Sequence, residues 1–154
     1  MYKGKDCIGL AVVSEQTGQI LGKITDIICS ANLKKIKYLQ IVDKNNSETK
    51  QCIPSLISNI GRDAVIVNSK DLPCPKDNKE KKVILFSKLK GLHIVGSDGT
   101  EIGELVDIIF ELPYCEIQGL EVSEGFIGDI LTGRHTISKD TIKKISQDCI
   151  LIDF

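Results

Sequence analysis

The stretch Thr17-Gly18-Gln19-Ile20-Leu21-Gly22-Lys23-Ile24-Thr25-Asp26-Ile27-Ile28 returns 81 positions later as Asp98-Gly99-Thr100-Glu101-Ile102-Gly103-Glu104-Leu105-Val106-Asp107-Ile108-Ile109. Two glycines, the aspartate and the two isoleucines after it coincide. The same shift pairs Ile36 with Ile117 and Leu39 with Leu120, sets Ile41 against Val122, and places His93 opposite Val12. Past the next loop the shift becomes 85, matching Ile60 with Ile145, Asp63 with Asp148, Val65 with Ile150 and Val67 with Ile152. A chain that repeats itself in order, with one change of loop length, is one small structural unit made twice.

Each unit reads as mostly strand. Short apolar runs at 8–13 and 92–95 lead into turns centred on Gly18 and Gly99, a hairpin signal because glycine supplies the positive φ such turns need. A third strand follows at 35–42 and 116–123. In the first copy Ile36, Leu39 and Ile41 carry the apolar face, with Tyr38 out of phase. Helical turns are expected at 54–60 and 138–145, the second N-capped by Ser138. β-Rich runs at 64–67 and 149–152 close the units. Many short strands with turn punctuation point to a small barrel or sandwich rather than to βαβ units. The expected organisation is unit one over 1–69, a charged, proline-containing linker over 70–85, and unit two over 86–154.

Composition bounds the function. Aromatics make up 5% of the 154 residues and tryptophan is absent, so the core must be aliphatic. No apolar run approaches the roughly 20 residues that cross a bilayer, and no signal-peptide pattern is visible at the start; a cytoplasmic chain with no membrane span is expected. The net charge of −1 argues against a general polyanion binder, yet it conceals a division. Residues 1–68 hold nine basic and six acidic side chains, whereas 83–154 hold six and twelve. The halves could therefore dock electrostatically, on each other or on a second chain.

The six cysteines (Cys7, Cys29, Cys52, Cys74, Cys115 and Cys149) include no CxxC, and at least 22 positions separate any two. Zinc sites usually use at least one tight pair, so reduced thiols packing as small hydrophobes are expected, with no metal or other cofactor. Asp26 and Asp107 occupy equivalent places and read as carboxylates accepting backbone N–H bonds, not as a catalytic pair. His93 and His135 share no spacing with a carboxylate or thiol that would make a catalytic set. The glycines form neither GxGxxG nor a phosphate-binding loop. No enzyme and no small-molecule substrate is expected.

The order of these motifs resembles the PRC-barrel family. The strand motif is carried by Gly22-Lys23-Ile24-Thr25-Asp26 and Gly103-Glu104-Leu105-Val106-Asp107. The closing motif is carried by Ile53-Pro54 and Ile60-Gly61-Arg62-Asp63-Ala64-Val65-Ile66-Val67. The second copy departs from it, with Ile137-Ser138 and Ile145-Ser146-Gln147-Asp148. The resemblance covers both halves and implies a mainly β protein of two tandem small β-barrels, each with a short helical turn, of the bacterial tandem type. The family is named for the cytoplasmic domain of the photosynthetic reaction-centre H subunit and includes the C-terminal domain of a ribosome maturation factor. It therefore implies an adaptor for proteins or ribonucleoprotein. Alternatives are a ribosome- or RNA-processing-associated factor and a regulator of electron transfer.

Two segments are candidate contact sites. Where unit one has the polar loop 43–48, unit two carries Gly125-Phe126-Ile127-Gly128-Asp129-Ile130-Leu131-Thr132-Gly133-Arg134. Apolar surface left in water costs about 25 cal/mol per Å², so Phe126, Ile127, Ile130 and Leu131, with Arg134 beside them, invite a cover: the protein's own body, a second copy in a homodimer, or another protein. Lys23, Lys35 and Lys37 are the weaker candidate, for RNA phosphates, with Tyr38 as the one stacking aromatic at hand.

Overall fold

A computed structural model describes residues 1–43, 45, 47–75, 82–123 and 135–153, and the backbone alone of 126, 127, 130, 131 and 134. The first unit opens with strand β1 (Tyr2–Lys3) and a one-turn helix α1 (Gly4–Cys7). It continues through β2 (Ala11–Ser14), β3 (Ile20–Ser30), β4 (Ile36–Val42), β5 (Thr49–Cys52), β6 (Ile57–Ile60) and β7 (Ala64–Val67). The second repeats the plan: β8 (Val83–Leu85), α2 (Phe86–Leu89), β9 (His93–Gly96), β10 (Glu101–Glu111), β11 (Glu116–Ser123), β12 (Phe126–Ile127), β13 (Ile130–Leu131), β14 (Arg134–Ser138), β15 (Ile142–Ile145) and β16 (Cys149–Ile152). The protein is mainly β.

There are two seven-stranded sheets, ordered β5-β4-β3-β2-β7-β6 and β14-β11-β10-β9-β16-β15, each with one further short strand on its longest member. Laid flat, six strands would hold β5 and β6 about 24 Å apart. The link between them, residues 53–56, spans at most about 17 Å fully extended and is partly a 3-10 turn, so the sheet must curl. Among the described residues no ladder joins β5 to β6 or β14 to β15. Each unit is thus a curled sheet whose two end strands share no ladder among the described residues.

The seventh strand of each sheet comes from the other unit. β1 pairs antiparallel with β10 (Tyr2↔Phe110, Lys3↔Ile109), and β8 pairs with β3 (Leu85↔Ile28, Ile84↔Cys29, Val83↔Ser30). Helices α1 and α2 follow their strands across, α1 against β10 and α2 against β3. The two arms are exchanged about an approximate two-fold axis. Residues 83–85, which fall at the end of the expected linker, are therefore a strand of the first unit's sheet. The start of that linker is also held: Leu72 is buried, and the Gln51 N–H donates to Pro73 O at 2.9 Å, covering the outer edge of β5.

Exchange explains a break in the sequence pattern. In β3 alternation fails from Asp26 onward and Asp26, Ile27, Ile28, Cys29 and Ser30 are all buried; in β10 the same holds for 107–110. A strand loses its polar–apolar alternation when both faces are covered, here by the unit's own core and by the visiting arm. The core is one cluster running through both units, aliphatic apart from Phe86, Phe110 and the thiols of Cys7, Cys29, Cys52 and Cys115 among the described residues.

Two local expectations are corrected, and a third is explained. Residues 54–60 and 138–145 are helical only at Pro54–Leu56 and Lys139–Thr141. Ile57 and Ile60 instead pair with Val67 and Val65, where β-branched side chains fit the sheet better than a helix. The phase slip at Tyr38 is a β-bulge: Ile28 faces Tyr38 and Cys29 faces Ile36, leaving Lys37 as the extra residue. His93 corresponds to Ala11, not Val12. It pairs with Cys149 as Ala11 pairs with Ala64, because the second hairpin loop is one residue shorter. Gly22 and Gly103 sit beside bulges at φ of 150° and 156°. A Cβ on Gly22 would lie 2.5 Å from Val42 O, and one on Gly103 would strike Ser123 O, so both positions require glycine.

Candidate functional site

The two equivalent aspartates of the repeat hold the arms. Asp107 Oδ1 accepts the Lys5 N–H at 2.9 Å from the visiting arm and the Ile108 N–H at 2.8 Å. Asp26 accepts the Ile27 N–H (2.8 Å), the Ser87 N–H (3.1 Å) and the Ser87 Oγ–H (2.6 Å). Each carboxylate thus ties the opposite unit's arm at the start of its helix. Burial, the largest influence, raises the Asp107 carboxyl above its ordinary pKa; its two N–H bonds oppose this, and Glu121 and Asp6 reinforce it. The arms also bring Gly4 and Phe86 together, with the ring filling the space beside the glycine. Across the same seam Lys3 pairs with Glu121 at 3.0 Å, a basic side chain of the first half on an acidic one of the second.

A second seam forms where the turns 31–35 and 112–116 meet. The Ile36 N–H donates to Cys115 O and the Ile117 N–H to Lys34 O, both at 2.9 Å, so that Lys35 and Glu116 face each other in an antiparallel backbone β-bridge. On each side of this bridge lies a groove, and the two-fold relates them. The first, about 1030 Å³, lies between β4, the 3-10 turn at 54–56 and the turn at 113–114. Its lining includes Lys35, Lys37, Tyr38, Pro54, Pro113 and Tyr114. The second, about 790 Å³, lies between the turn at 31–35 and β15; Lys34 and Lys35 there face Lys139, Lys143 and Lys144, with Asp140 alongside. Lys35 and Glu116 line both, so the grooves adjoin at the bridge.

The structure therefore brings Lys35 and Lys37 together with a second aromatic, Tyr114, which is 73% exposed. It does not bring Lys23 there. Lys23 faces Val42, five residues along β4 from Lys37, or about 17 Å away. Sequence reading missed Tyr114, Lys139, Lys143 and Lys144. The adjacent Lys143-Lys144 was the only local signal, since these residues lie about a hundred positions from Lys34.

The apolar segment forms a two-stranded ribbon, Phe126↔Leu131 and Ile127↔Ile130, beyond the last rung of the β11–β14 ladder at Ser123↔Arg134. The side chains of Phe126, Ile127, Ile130, Leu131 and Arg134 lie outside the described residues. The described cysteines are all free thiols; Cys7, Cys29, Cys52 and Cys115 are buried, Cys149 is half-buried and Cys74 exposed. Burial pushes Cys7, Cys29 and Cys52 up to about 12 and Cys115 to about 11, far from nucleophilic or ligating behaviour at neutral pH. Among the described residues no three His, Cys, Asp or Glu side chains are grouped to hold a metal ion, and no helix is long and apolar enough to cross a membrane.

Curled sheets made twice, with the same aspartate in each third strand, define a class that sequence comparison also finds. The PRC-barrel domain model matches residues 1–72 and again 81–154, and the chain belongs to that family. It is also similar to the uncharacterized protein YrrD of Bacillus subtilis (strain 168), 24% identical over 150 residues that span 94% of this chain and 83% of the relative.

Proposed function

We propose that this protein is a non-enzymatic cytoplasmic adaptor, each curled sheet serving as a PRC-barrel module and the pair mediating protein–protein or ribonucleoprotein association. The observation that carries the reading is the β12–β13 ribbon, which pairs apolar residue with apolar residue where unit one has a short polar loop. A two-stranded ribbon on its own is at best marginal in water, and its four apolar residues favour a cover. The exchanged arms support the reading by fusing the units into a body with one continuous core, which suits a rigid platform.

The test is Phe126→Asp combined with Leu131→Asp. Sedimentation velocity on the purified chain, and affinity capture from source cells with wild type and variant side by side, read association. Near-UV circular dichroism reads folding. The adaptor reading expects a folded variant that loses self-association or one wild-type-specific partner. An unfolded variant would assign the ribbon to the internal core, and an unchanged association pattern would remove the ribbon as a contact.

A further inference from the structure

The seam grooves carry more charge organisation than a solvated surface explains. Unit two is acidic, with twelve acidic and six basic residues over 83–154, yet three of those six, Lys139, Lys143 and Lys144, line its groove at the seam. The lysines they meet, Lys34 and Lys35, belong to the other unit, and Lys37 extends the strip into the first groove. Like charges gathered from two units repel one another, at about 1 kcal/mol for a pair 4 Å apart in bulk water. Glu116 and Asp140 offset only part of this. Such an arrangement is relieved by an extended anion.

The aromatics narrow the choice of anion. Tyr38 and Tyr114 line the same groove as Lys35 and Lys37, one from each unit, and Tyr114 is mostly open to solvent. Prolines 54, 73, 75 and 113 stiffen the walls. A positive channel that tracks phosphates, with exposed rings on which bases stack, is the recurring solution for single-stranded nucleic acid. An acidic peptide would use the lysines but leave both rings without a partner of matching chemistry. We infer that the seam binds a single-stranded polynucleotide, its phosphates along Lys34, Lys35, Lys139, Lys143 and Lys144 and its bases toward Tyr38 and Tyr114. The site needs both units, so neither half has it alone. It lies at the opposite end of β11 from the ribbon, seven residues or about 23 Å away, so the two surfaces can be occupied together.

The experiment uses the full chain and a fluorescein-labelled 12-nucleotide oligouridine, followed by anisotropy from 50 to 300 mM KCl. Wild type should bind, with affinity falling log-linearly in salt at about 0.7 per phosphate contacted. The variant Lys139→Gln, Lys143→Gln, Lys144→Gln should flatten that slope by about 2 and weaken binding at least tenfold at 50 mM. Tyr114→Ala should weaken binding roughly fivefold or more with the slope unchanged, because stacking releases no counterions. Phe126→Asp with Leu131→Asp should bind the oligonucleotide as wild type does, which separates this site from the ribbon. Absence of binding at 50 mM KCl, or an unchanged slope in the folded lysine variant, would overturn the inference. So would polyglutamate of matched charge competing as well as oligouridine, which would reassign the seam to an acidic protein.

Discussion

If the arms cross as described, Gly4 and Phe86 must be energetically coupled although 82 positions separate them. A Cβ on Gly4 would lie 2.9 Å from Ile108 Cγ1 and 3.2 Å from both Asp107 Oδ1 and Phe86 Cζ. Helix propensity favours alanine over glycine by about 1 kcal/mol, whereas overpacking a filled core costs about 1–3 kcal/mol. Gly4→Ala should therefore destabilise by about 0–2 kcal/mol on balance. Phe86→Leu removes the ring edge that crowds this position and, as a core truncation milder than Phe→Ala, should cost about 1–2 kcal/mol. In the double variant the leucine frees room on one side of the new methyl, leaving Ile108 Cγ1 and Asp107 Oδ1 to give by a few tenths of an ångström. Urea unfolding with a common m-value should show the pair costing less than the two singles together, by about 0.5–1.5 kcal/mol. Additivity within about 0.3 kcal/mol, the behaviour of distant sites, would show that the arms do not meet and would refute the exchanged architecture.

Two further outcomes follow from the same contacts. The Lys5 and Ile108 N–H groups both donate to one oxygen of Asp107, so Asp107→Asn keeps the acceptor and removes a buried charge. Because the folded carboxyl pKa is raised, the wild type gains stability from this group below the unfolded value near 3.8 and loses it as pH rises through the folded pKa. The Asp107→Asn variant should accordingly be the more stable protein at pH 7, with its advantage vanishing toward pH 4; a penalty that grows with pH would contradict this. In the native protein at pH 8, a thiol-reactive probe should label Cys74 first and Cys149 more slowly, while Cys7, Cys29, Cys52 and Cys115 react only on unfolding. Peptide mapping that finds Cys29 labelled early would contradict the burial of β3 beneath the visiting arm.

The duplication was legible because strand and turn chemistry is local: Gly22 and Gly103 are fixed by a bulge that admits no side chain, and the apolar positions recur at fixed shifts. The arms were not. Tyr2-Lys3-Gly4-Lys5 and Ile84-Leu85-Phe86-Ser87 share no residue in register, and a single helical turn has no period to detect. The signal that could have exposed them lay in the partner strand, where Asp26 to Ser30 and Asp107 to Phe110 run without alternation. Of the basic strip, Lys35 and Lys37 were visible through their spacing on one strand. Their counterparts were hidden because the seam that gathers them forms only after the units have docked.

The Gly4–Phe86 contact also bears on why the chain is a tandem and not a dimer of one unit. Exchanged arms in a symmetric pair of first units would set glycine against glycine and leave a void about the size of a phenyl ring. A pair of second units would force two rings into that space. Cavity and overpacking penalties oppose either arrangement, so the large–small match favours one unit of each kind. The same asymmetry separates the grooves at the second seam, one lined by proline and tyrosine and the other by lysine. Two identical units would give two copies of one groove, whereas the tandem sets two unlike grooves side by side across the bridge, with rings in one and charge in the other.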